Sequence, residues 1–314
     1  MTVISPRGTA MSTDQQFPAP SAGNGPRPFV KMHGLRNHFV IFDRRDDRRP
    51  FTTAEIVRIC DCETGVGAEQ LVTIERAARP GADVAMRLFN IDGREVGACG
   101  NATRCVAWLV MEETGRDALT IETAAGLLDC RRTGPQEVSV RLGPVSLDWR
   151  AVGAAHAVDT LHLPLTSGPL RDGIALWIGN PHVVFFVEHL DPEALVRHGP
   201  AIQNDPLFPE GVNVGMASMT DARTIRLAVW ERPGMLTKAC GTGACVAAFA
   251  ARRRGLSDAH RFTVHLPGGA LDITLEGEMA TMAGPVATCC RGTVAPDDAP
   301  DAGAARRTPG RAGG

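Results

Sequence analysis

Two stretches of this chain share an Ala-Cys-Gly core: GACGNATRCVAW at residues 97–108 and KACGTGACVAA at residues 238–248. Each core runs into a helix-like segment. Ahead of the first lies the β-like run MRLFN and a Gly-containing turn. Ahead of the second lie IRLAVWE and then RPGMLTK. The same order of strand, turn, Cys-Gly and helix therefore occurs twice. Such an internal repeat constrains the fold, because duplicated units bury equivalent faces and meet across a cleft that sets equivalent elements opposite each other. Cys99 and Cys240 are then expected on opposite walls of one pocket.

The two helices are expected over about 102–113, closed by Gly115, and about 243–254, closed by Gly255, each glycine acting as a C-cap. Asn101 and Thr242 are suitable capping residues at their starts. Arg252, Arg253 and Arg254 complement the negative end of the second helix dipole. Elsewhere short runs rich in Val, Ile and Phe dominate, such as HFVIFD at 38–43 and HVVFFVEH at 182–189. These read as strands.

Nine cysteines without a secretory leader argue against a disulfide framework and fit a reducing cytoplasm. Cys60-x-Cys62 and Cys289-Cys290 lack the spacing of a zinc site, so no metal is expected. No pyridoxal-phosphate signature or other cofactor motif stands out. The formal net charge of −2 offers no basic field for nucleic acid or an acidic membrane, and no apolar run nears the roughly 20 residues of a membrane span. Residues 1–28 and 295–314 are rich in Pro, Gly, Ala and polar residues, and are expected to be disordered extensions.

A free thiol has a pKa of about 8.5, and a helix N-terminus can lower it to roughly 3.5–7.5. Backbone N–H groups at Gly100, Asn101, Gly241 and Thr242 would also cradle a carboxylate. A thiolate on one face of an α-carbon and a thiol on the other could then invert an amino acid: one removes the α-proton and the other returns one. A dithiol redox pair is the alternative use of two opposed sulfurs.

The chain resembles the diaminopimelate epimerase family. The resemblance rests on KMHGLRNHFVIFD (31–43), TGVGAEQL (64–71), MRLFNIDGREVGACGNATRC (86–105), IGNPHVVFFV (178–187), FPEGVNVG (208–215), VWERPGMLTKACGTGACVAA (229–248) and AGPVA (283–287). It implies an α/β (α+β) fold of two pseudo-symmetric domains, each a barrel-like mixed sheet around a central helix, with the active site in the interdomain cleft. The expected halves are 29–143 and 144–285, with 286–294 returning to the first half. The implied reaction interconverts LL- and meso-2,6-diaminopimelate without a cofactor, with Cys99 and Cys240 as the proton-transfer pair. Asn37, Gln70, Asn90, Asn180, Asn213, Glu231 and Arg232 fall on substrate-contact positions, as do the backbone groups of Gly100, Asn101, Gly241 and Thr242. His182 and Glu231 match residues that tune the cysteines. A two-thiol racemase of the proline or hydroxyproline type would share this fold.

The chain departs from the family pattern at Arg36, where Gly is common, and at His38, Glu69 and Ala102. If the family glycine uses a positive φ, Arg36 is either strained or sits in a reshaped turn. Cys290 falls near an aromatic position that helps the family form homodimers, and this chain has no Tyr.

Overall fold

The computed structural model describes residues 25–97 and 99–295. The first half opens with β1 (Arg27–Gly34) and β2 (Asn37–Asp43), followed by α1 (Thr53–Cys60), β3 (Gln70–Glu75), β4 (Val84–Asn90), β5 (Glu95–Val96), α2 (Gly100–Thr114), β6 (Ala118–Thr123), β7 (Gly126–Gly134) and β8 (Glu137–Leu142). A linking segment carries α3 (Trp149–Val152) and β9 (Leu163–Ser167). Then come β10 (Leu170–Trp177), β11 (Pro181–Phe186), α4 (Pro192–Gln203), β12 (Asn213–Met219), β13 (Thr224–Glu231), β14 (Met235–Thr237), α5 (Gly241–Arg253), β15 (Arg261–Leu266), β16 (Gly269–Glu276) and β17 (Met279–Pro285). β18 (Ala287–Val294) closes the described chain.

Strand pairing repeats from one half to the other. β1–β2 is antiparallel, β2–β3 parallel, β3–β4 antiparallel and β4–β6 parallel, and β6, β7 and β8 form an antiparallel meander. The series β10–β11, β11–β12, β12–β13, β13–β15 and β15–β16–β17 repeats those orientations in the same order. Even the short strands correspond, with β5 on β4 and β14 on β13. The halves join where β8 pairs with β17, so one mixed sheet runs through all eighteen strands. β18 returns to pair with β1. Arg27 and Pro28 already belong to β1, two residues before the start expected from sequence, because they pair with Val294 and Thr293. The rest of the two expected extensions lies outside the described residues, apart from 25–26 and 295.

Each half wraps its sheet around one helix. α2 is apolar on nearly every face and is buried from Gly100 to Met111 except at Trp108; α5 is likewise buried along most of its length. A helix apolar all round can persist only inside a core. Both helices contribute to one hydrophobic cluster, which also takes Phe39, Ile121, Leu227 and Ile273 from strands of both halves. α1 and α4 pack outside, each over its own smaller cluster. Thr52 and Glu55 start α1 with a capping box. Gly115, at φ +68, ends α2 in the left-handed conformation expected of it.

The expected caps need correction. Asn101 and Thr242 lie inside the first turns, and Cys99 and Cys240 are themselves the N-cap residues, in extended conformation. Glycine follows each cysteine and enters the helix directly, so both helices begin two residues earlier than their side-chain pattern implied.

The β1–β2 hairpin has a two-residue turn, with Leu35 at φ +55 and Arg36 at φ +63. Positive φ at both central residues is the type I′ pattern, whose twist matches that of the flanking strands. Arg36, like Leu35, therefore carries the strain of a positive φ. An L-residue in this region costs roughly 1–2 kcal/mol, and glycine loses about 0.5–1 kcal/mol of that advantage to backbone entropy. Arg36→Gly is expected to raise stability by about 0.5–1 kcal/mol, read as a higher urea midpoint at unchanged slope; a lower midpoint would contradict the strain.

Candidate active site

The two cysteine-bearing turns converge on one side chain. A Cβ added at Gly100 would fall 2.5 Å from Met282 Cε, and one at Gly241 would fall 2.7 Å from Met282 Sδ. Met282 projects from β17, at the seam between the halves. The turns are also tied directly. Asn101 Nδ2 donates to the carbonyl of Ala239, the residue before Cys240, at 3.1 Å. The same nitrogen donates to Asn37 Oδ1 at 3.2 Å, and the Cys99 thiol reaches that oxygen at 3.9 Å.

Around Cys240 the polar contacts are denser. Its Sγ accepts from the Gly243 N–H at 3.4 Å and lies 3.6 Å from Thr242 Oγ1. Thr242 Oγ1 is 3.0 Å from His182 Nε2, which also lies 3.0 Å from Asn180 Oδ1. Asn213 Nδ2 is 3.5 Å from the same ring nitrogen, and Asn213 Oδ1 accepts from the Arg232 N–H at 2.9 Å. Glu231 accepts from Thr237 Oγ1 and faces Cys240. The Arg232 guanidinium is held by the carbonyl of Glu210 at 2.9 Å.

The sequence-predicted residues Cys99, Asn37, Asn101, Cys240, Thr242, His182, Asn180, Asn213, Glu231 and Arg232 thus form one connected network. Gln70 and Asn90 instead bond to each other at 2.9 Å, leaving Gln70 Oε1 buried without a donor. In strand register, Gln70 opposite Asn90 corresponds to Asn213, whose neighbour Val214 faces Trp230 beside Glu231. Gly100 and Gly241 each supply the first residue of a helix, where backbone N–H groups have no intrahelical partner. Three contributors escaped the sequence reading: Met282, Thr237 and Arg104. Arg104 donates to Asn101 Oδ1 at 2.9 Å. A lone arginine in an apolar helix stripe was the available signal.

The electrostatics correct the expectation that the helix starts lower the thiol pKa values. Burial pushes Cys99 up to about 11; the Ala102 and Asn101 N–H groups and Arg104 oppose this, while Glu231 adds to it. Part of the Cys99 residue still touches solvent, but enough protein surrounds its thiol for desolvation to dominate. Burial also drives Cys240 well above its ordinary value, and the neighbouring Glu231 charge adds to the rise against Thr242 and Gly243. Loss of solvent outweighs the helix dipole at both sites. The two thiols nevertheless differ: Arg104 favours the anion at Cys99, and Glu231 disfavours it more at Cys240. Burial also raises the Glu231 carboxyl.

A family profile described as diaminopimelate epimerase matches residues 29–147 and 174–289. The chain is 46% identical over 267 residues to a diaminopimelate epimerase of Rhodospirillum centenum, covering 85% of this chain and 91% of that protein. It is 49% identical over 259 residues to one of Rhizorhabdus wittichii, covering 82% and 91%. The chain belongs to the diaminopimelate epimerase family. In fold it is similar to a probable proline racemase of Agrobacterium radiobacter K84, with a TM-score of 0.66 at 18% identity, covering 88% of this chain and 94% of the other.

His182 is held neutral, because burial lowers its pKa from 6.5 to about 3, with Arg232 contributing in the same direction. Below pH 6.5 the unfolded chain therefore binds a proton that the folded ring refuses. Stability from this site is present above pH 6.5 and is lost as pH falls toward about 3. In urea titrations at stepped pH, His182→Gln should flatten the loss of stability across that window relative to the parent. Parallel curves would show that the ring does not stay neutral.

Proposed function

We propose that this chain is a cofactor-independent epimerase interconverting LL- and meso-2,6-diaminopimelate, a step of lysine and peptidoglycan-precursor synthesis. The observation that carries the reading is the pair of cysteines at matching helix starts in the two halves, with the turns linked through the Asn101 amide. The substrate's α-carboxylate sits against the backbone N–H groups at the helix starts, those of Gly100, Asn101, Gly241 and Thr242. Those donors stabilise the charge that flows onto the carboxylate when the α-proton leaves.

Cys99 is the better base, since Arg104 and the N–H groups of α2 favour its anion. Cys240 is the better acid, since Glu231 beside it keeps the thiol protonated. In the forward direction the Cys99 thiolate takes the α-proton from one face, and the Cys240 S–H bond breaks to deliver a proton to the other. This leaves Cys99 as thiol and Cys240 as thiolate, and reversal exchanges the roles. Neutral His182 fixes Thr242 and Asn180 without adding a charge. Buried Gln70 Oε1 suits an ammonium donor, and Arg232 suits the distal carboxylate. Residues 29–143 and 144–285 act as the two halves of this machine, with 286–294 returning to the first.

The test is solvent deuterium incorporation into diaminopimelate stereoisomers, with proline as the control substrate. Exchange into diaminopimelate is expected; exchange into proline alone would refute the substrate. Cys99→Ala and Cys240→Ala should each lower turnover by about 10²–10⁴-fold. Near-full activity in either variant would rule out the two-thiol route. A cytoplasmic homodimer completes the reading, and sedimentation at the 33.4 kDa chain mass would exclude the dimer.

A further inference from the structure

We propose that Arg104 is a positioning residue for this reaction: its unpaired guanidinium, sealed behind the two cysteine-bearing turns, aims the Asn101 amide and supplies fixed positive charge to the anions formed at the helix starts. The proposal rests on the two-thiol reading above.

A buried arginine ordinarily meets a carboxylate. Arg104 is 0% exposed, and among the described residues the ionisable groups that act on it are thiols, those of Cys105, Cys99 and Cys245. One terminal nitrogen donates to Asn101 Oδ1 at 2.9 Å. The other meets only the weak thioether acceptor Met282 Sδ at 3.4 Å, and Nε has no partner. Guanidinium does not deprotonate in proteins, so a whole positive charge is held in the core without an opposing acid.

Its placement explains why such a charge would be kept. Asn101 has one oxygen and one nitrogen to offer. With Oδ1 claimed by Arg104, Nδ2 must face Ala239 O and Asn37 Oδ1. The arginine therefore fixes which way the bridging amide points, and with it the spacing of the two turns. Met282, the other contact of Arg104, is the side chain on which Gly100 and Gly241 converge. Of the three nearby thiols, Cys105 and Cys245 are buried among apolar groups and pushed up to about 12. Cys99 alone of the three stands at a helix N-cap, where an anion is useful.

A packing role and a charge role predict different outcomes. Replacing even a paired buried ionic group by apolar side chains of similar volume is often neutral or stabilising, and a charge without an opposing acid bears its desolvation cost uncompensated. Arg104→Met is therefore expected to keep or raise the urea midpoint, while kcat falls by about 100-fold or more. The acid limb of the kcat/KM profile, which reports the free-enzyme base, should move up by about one pH unit or more. Arg104→Lys keeps the charge. It should recover about tenfold over the methionine variant and leave the acid limb near that of the parent.

Arg104→Gln replaces the methionine variant if that chain does not fold, with the same expectation. A folded neutral variant with parental kcat and acid limb would overturn the proposal. So would a lysine variant whose limb moved as far as that of the neutral one. The parent protein guards the distinction: if it exchanges no deuterium into either diaminopimelate isomer, the functional reading fails. If it exchanges while the Arg104 variants match it, only the arginine's role fails.

Discussion

One side-chain amide ties the two halves together at the point where chemistry would occur. Asn101 belongs to α2, yet its nitrogen is bonded to a backbone carbonyl one residue before Cys240. Sheet continuity through β8 and β17 holds the halves together on a coarse scale. It does not by itself fix two sulfur-bearing turns to within a fraction of an ångström, which proton transfer demands. The amide does so with a bond buried from water, where loss of a partner costs most. Its oxygen is bonded in turn to Arg104, which is sealed in the core, so the network extends well behind the surface.

The energetics of the thiols follow from a contest that the helix dipole loses. A dipole end acts over one turn, as about half a charge. Complete enclosure of a sulfur removes the solvation of a full charge, and this larger effect sets the resting state. Enclosure also makes every charge left inside act more strongly, for want of water. Arg104 on one side and Glu231 on the other then give two residues of the same type unequal tendencies to ionise.

The central helices were legible because Ala-Cys-Gly recurs and because Gly115 and Gly255 punctuate their ends. Their starts were misjudged, since Gly100 and Gly241 read as turn residues and Asn101 and Thr242 as better caps than cysteine. β12 (NVGMASM) is buried on nearly every residue, so no polar alternation marks it in the sequence. The network residues were named through family resemblance rather than spacing; an asparagine in a loop looks like any other turn residue. Arg104 left only a faint trace, a lone arginine in an apolar helix stripe. A single arginine in a helix reads as a solvent-facing position, and only the surrounding strands show it sealed in.

The β1–β2 turn carries a constraint across the whole molecule. A Cβ at Gly268 would lie 2.1 Å from the Leu35 carbonyl oxygen, and the Gly268 N–H bonds to Lys238 O, two residues before Cys240. The hairpin tip that presents Asn37 is thus seated in a notch of the opposite half that no larger residue could leave open. Duplication made the two halves alike, but this fit makes them unequal partners: the sequence of one can drift here only as far as the backbone of the other allows.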